Sequence, residues 1–157
     1  MKHALQLRKE GHLKESNQRL LSLVKESPDD PQLNYQVAWS FDVLGLESEA
    51  VPFYEKSIAL GLKDEDLEGA LLGLGSTYRT LGKYQKSEDT LVKGIELFPE
   101  NHAINSFYAM TLYNLGRHQE AMEILLKSLA TTSGDKYIQQ YRRAIEFYAD
   151  KLDEVWK

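Results

Sequence analysis

The chain has 157 residues, 42% apolar and 27% charged, with a formal net charge of -5 and no cysteine. That length and apolar content suit one domain with a continuous core. The mild acidity disfavours nucleic acid and anionic membranes as partners, and the lack of thiols excludes disulfides, thiolate catalysis and Cys-based metal sites and fits a reducing compartment.

In chain order, apolar residues spaced three and four apart predict helices over residues 2–10, 13–26, 31–44, 47–60, 65–81, 84–97, 102–115, 118–131 and 136–155. The N-terminal segment from Met1 to Glu10 lacks the apolar run of a secretory signal. No apolar run approaches the roughly 20 residues of a membrane helix. A cytoplasmic protein is therefore expected.

Gly11, Gly45, Gly82 and Gly116 set a register, with separations of 34, 37 and 34 residues. A small residue stands seven before each glycine: Ala4, Ala38, Gly75 and Ala109. A large one stands four before: Leu7, Phe41, Tyr78 and Leu112. After the glycine, Ser16, Ala50, Ser87 and Ala121 are small, and Leu20, Tyr54, Leu91 and Leu125 are large. Pro28 and Pro99 close the first and third units. The pattern means helix pairs joined at glycine turns, crossing closely at the small positions. One such hairpin cannot bury its own apolar face, whereas a stack of them can.

A unit of about 34 residues with small, glycine, small and proline at these offsets resembles the tetratricopeptide repeat. The segments Ala38-Trp39-Ser40-Phe41, Gly75-Ser76-Thr77-Tyr78-Arg79 and Leu115-Gly116-Arg117 are most similar to small stand-alone bacterial members of that family. The resemblance covers about residues 1 to 134. It implies an all-α fold: a right-handed superhelical stack of helix-turn-helix hairpins. The expected repeats are 1–30, 31–67, 68–101 and 102–134, in one domain over residues 1–157.

Some positions depart from the pattern. The first helix lacks about a turn. Leu62 and Ser133 stand where prolines would close the second and fourth units, and Leu23 is large where Ser57, Gly94 and Ser128 are small. Three extra residues fall in the acidic stretch from Gly61 to Asp66, which is expected to lengthen the connection or the next helix. In the last segment, 135–157, Ile138, Tyr141, Ile145, Tyr148, Leu152 and Val155 form one stripe. That stripe predicts a capping helix over the open face of the fourth hairpin. Its spacing also allows a dimer seam.

The resemblance implies that the first helix of each hairpin lines a concave groove. By spacing, Leu5, Trp39, Ser76 and Met110 face it, as do Arg8, Asp42, Arg79 and Tyr113, with Tyr35, Leu72 and Asn114 beside them. Aromatics and methionine supply binding area, and the two arginines suit a carboxylate. Family members that clamp a C-terminal carboxylate use lysines and asparagines, where this chain has Leu5, Gly73, Ala103 and Phe107. That clamp is absent.

No histidine pair has metal-ligand spacing, and no acid–base pair falls in an expected pocket. Gly73-Leu74-Gly75 lacks a dinucleotide loop's third glycine and preceding strand, and reads as close helix packing. No catalysis, cofactor or metal is expected. The expected function is a protein-interaction module, an adaptor or scaffold, that holds a peptide or protein. The alternative is a homodimer formed through the C-terminal helix or the N-terminal hairpin.

Overall fold

The computed structural model describes residues 1–156; Lys157, the last residue of the expected capping segment, lies outside the described residues. Eight helices form four hairpins: α1 (Lys2–Lys9) with α2 (Leu13–Glu26), α3 (Pro31–Asp42) with α4 (Glu47–Ala59), α5 (Asp64–Thr80) with α6 (Tyr84–Leu97), and α7 (His102–Asn114) with α8 (His118–Thr132). Two short helices follow, α9 (Lys136–Gln140) and α10 (Arg142–Tyr148). The described residues contain no strand.

The second helices α2, α4 and α6 each pack against the first helix of the next hairpin. The first helices also meet one another, α3 with α5 and α5 with α7. They form the inner row of a right-handed superhelical stack, and the second helices form the outer row.

The glycine turns follow from local sterics. Gly45 and Gly82 have φ of 70° and 72°, the left-handed conformation that ends a helix without a Cβ clash. The next residue folds back: the Leu46 amide donates to the Phe41 carbonyl at 3.1 Å and the Lys83 amide to the Tyr78 carbonyl at 2.8 Å. The second and fourth hairpins start on side-chain caps. Asp30 accepts from the Leu33 amide with Pro31 next in line, and Asn101 accepts from the Ala103 and Ile104 amides.

The small positions do more than admit close approach. Ser16 donates to the Ala4 carbonyl and Ser87 to the Gly75 carbonyl, both at 2.7 Å, so a hydrogen bond fastens the crossing of the first and third hairpins. A Cβ on Gly75 would lie 2.5 Å from Leu91 Cδ2, and one on Gly73 would strike the Tyr54 ring. The pair Gly73 and Gly75 thus serves helix packing on two sides of α5. The three extra residues lengthen α5 to 17 residues, against 12 in α3 and 13 in α7.

The capping segment departs from one continuous helix over 136–155. It breaks at Tyr141 (φ -100°, ψ 9°) and its last helix ends at Tyr148. α10 packs against α8, and Ala149 is fully buried. Of the expected stripe, only Ile138 and Ile145 are half-buried, while Val155 is 87% exposed. Residues without a surface to pack on do not sustain a short helix, whose stability comes mostly from burial.

Candidate binding groove

The inner row is stitched by the residue three before each turn glycine. Arg8 reaches from α1 to α3, donating to Gln36 Oε1 at 2.6 Å. Its guanidinium carbon lies 3.9 Å from the Trp39 ring centroid. Asp42, at the end of α3, accepts from Thr77 of α5 at 3.0 Å and from Tyr54 at 2.6 Å. Arg79 of α5 donates to Asn114 of α7 at 3.3 Å. The fourth member, Tyr113, has no following inner helix among the described residues. It lies against His118, with ring centroids 4.7 Å apart, and is 63% exposed.

This ladder divides the groove. In the N-terminal half most of these groups have intramolecular partners, although Arg8 Nη1 has none among the described residues. Tyr35 is a correction to the expected lining: it is buried in the core with Tyr54, Ala70 and Leu74, and Trp39 stacks on it at 6.0 Å. Its large ring fills the space beside Gly69, so it supports Trp39 and faces no partner. Asp42 is likewise committed, with both oxygens occupied. Trp39 stays 41% exposed, and Leu5, Arg8, Leu72 and Ser76 are half-buried.

The electrostatics follow this packing. Burial pulls the Arg8 guanidinium below its ordinary value, opposed by Tyr35 and Tyr54. Burial raises the Asp42 carboxyl; the hydrogen bonds from Tyr54 and Thr77 oppose it, and Glu47 adds to it. Burial, then Asp42, pushes the Tyr54 phenol far up.

The C-terminal half is open. Arg79, Met110, Tyr113, Asn114, His118, Met122 and Leu125 line a cleft of about 490 Å³, with Ala109 and Ala121 at its floor. Arg79 Nε is buried without a partner among the described residues. Four of the expected residues, Arg79, Met110, Tyr113 and Asn114, come together here. His118, Met122 and Leu125 were not expected, because they belong to a second helix. The available signal was position: Leu125 matches Leu20, Tyr54 and Leu91, but no further hairpin among the described residues covers it.

A family model described as Tetratrico peptide repeat matches residues 31–152, well over half of the chain. The chain belongs to the tetratricopeptide repeat family. Solved structures of MamA share the fold: one superposes with a TM-score of 0.77 at 19% identity, covering 96% of this chain and 90% of that one. A MamA RS-1 double mutant gives 0.76 at 14% identity, covering 97% and 84%. Superkiller protein 3 of Saccharomyces cerevisiae is 29% identical over 96 residues. That stretch is 57% of this chain and 6% of the yeast protein, so the chain spans a small part of that relative's length.

Tetratricopeptide repeats generally mediate protein–protein interaction and are typically non-catalytic. Among the described residues, no group of His, Cys, Asp and Glu could hold a metal ion. No described helix is long and apolar enough to cross a membrane.

Proposed function

We propose that this tetratricopeptide repeat chain is a non-catalytic cytoplasmic adaptor that holds a segment of a partner polypeptide in its concave groove. One observation carries the reading. The inner row leaves Met110 and Tyr113 exposed beside Arg79, so apolar anchors and a cation with no ion pair among the described residues converge in one cleft. Exposed aromatic and methionine side chains next to arginine are what binding sites use for affinity and orientation. The net charge of -5 supports a protein over a nucleic-acid partner.

Affinity capture from native lysate, repeated with a Trp39→Ala, Arg79→Ala, Tyr113→Ala triple variant, tests the reading. The variant should fold and lose the partner that the parent captures. Full retention of that partner by a folded variant rejects the groove.

Self-association is the second reading. Phe147 and Trp156 each meet Tyr148 edge to face, and all three remain exposed at the C-terminal end. Such a cluster could pair with its copy across a two-fold axis. Light scattering decides, since a strict monomer at high micromolar concentration removes this reading.

A further inference from the structure

The fourth hairpin presents a surface that each earlier hairpin hides. Leu20, Tyr54 and Leu91 are at most 2% exposed, yet Leu125, at the same register position, is 40% exposed. The structure shows what covers such a residue. Tyr54 packs against Ala70 and Leu74 of the next inner helix, α5, and Gly73 lets that helix approach. The stitching residues agree. Arg8, Asp42 and Arg79 each engage the following inner helix, and Tyr113 has none. The C-terminal segment does not fill the place. α10 lies against α8, whose Ala130 is buried, but Met122, Leu125 and Leu129 stay exposed along the other stripe of that helix.

We infer that the cleft at the fourth hairpin takes an acidic amphipathic α-helix of a partner protein, seated where a fifth inner helix would lie. This rests on the groove reading and narrows it to one end and one backbone conformation. The repeat register sets the conformation, because every equivalent surface in the molecule is covered by a helix. The helix should carry small residues where it crosses Ala121 and Leu125, as α5 does against Tyr54.

Charge sets the rest. The cleft's lining includes Arg79 and His118 and no carboxylate. Arg79 has no ion pair among the described residues and one 3.3 Å bond to a neutral amide, so a carboxylate on the incoming helix is favoured. The same charge argues against a second copy stacking head to tail. The α1 helix of such a copy carries Lys2, Arg8 and Lys9 and no carboxylate, so it offers Arg79 no anion.

The test is a selection of helix-biased peptides, about four turns long, displayed against the full chain. Selected peptides are then resynthesised and titrated by fluorescence anisotropy and circular dichroism. The expected binders gain helicity when bound and carry Asp or Glu. Leu125→Asp should weaken them at least about tenfold, and Arg79→Ala should weaken them most at low salt. Both sites are at the surface, and thermal melts check that each variant folds. Met122→Asp serves as the substitute should Leu125→Asp unfold.

Binders that stay extended, or that lose more to Trp39→Ala than to Leu125→Asp, overturn this inference and leave the groove reading intact. A chain that is dimeric until Leu125→Asp splits it shows the occupant to be a second copy, which also overturns the inference. No binders from this helix-biased selection overturns the inference alone, and binders indifferent to every concave residue sink both readings.

Discussion

Arg8 lies flat against Trp39 across the seam between the first two hairpins, its guanidinium carbon 3.9 Å from the ring centroid. The same side chain donates to Gln36. One residue therefore ties α1, the shortened first helix, to α3 by a stacked cation and a hydrogen bond. Arg8→Ala should loosen this edge by about 1–2 kcal/mol. Urea denaturation followed by circular dichroism reads the loss. An unchanged midpoint would show the contact to be energetically idle.

Asp42 predicts a pH dependence. Its folded-state value is raised above that of an unfolded aspartate, chiefly by burial. The folded protein therefore holds that proton more tightly than the unfolded chain. The stability this group contributes is fully present below the unfolded value of about 3.9, and it is lost as pH rises through the raised folded value. Asp42→Asn removes that loss. Its amide still accepts from one hydroxyl and can donate to the other, so Tyr54 and Thr77 keep partners. Thermal melts from about pH 4 to about pH 7 should show the parent losing stability relative to Asp42→Asn across this window. Parallel curves would remove the claim.

Gly75 and Gly134 separate two kinds of glycine. A Cβ on Gly75 would press into Leu91, while one on Gly134 meets nothing within 4 Å. Gly75→Ala should cost about 1–3 kcal/mol through overpacking. Gly134→Ala should stay within about 0.5 kcal/mol. Equal effects at the two sites would contradict the close crossing at α5 and α6.

Leu91 and Leu125 make the same comparison for the outer row. Leu91→Ala should cost about 2–5 kcal/mol, because the side chain is fully buried. Leu125→Ala should cost less than about 1 kcal/mol, being 40% exposed. Equilibrium unfolding of the two variants measures both. A Leu125→Ala loss as large as that of Leu91→Ala would mean the fourth hairpin is covered in the free chain.

The hairpins were legible because each signal is local and repeated. Gly45 and Gly82 mark turns through their backbone alone, and Asp30 and Asn101 cap helices through neighbouring amides. The direction of Tyr35 was not legible. Helical spacing places it on the groove side, but the space beside Gly69 on the next hairpin drew the ring into the core. The break at Tyr141 was also hidden, because nothing in the local sequence forbids a continuous helix there. What ends it is the limited surface that α8 offers. The half of the cleft on α8 was hidden for a related reason: Leu125 stands at a packing position of the repeat, and no described element covers it.

Site-specific photo-crosslinking tests the groove most directly. Benzoylphenylalanine would be placed at Tyr113 on the inner row, and separately at exposed Lys93 on the outer-row helix α6. The groove account predicts a polypeptide adduct from position 113 and none from position 93. An adduct from position 93 alone would put the partner on the outer face and contradict it.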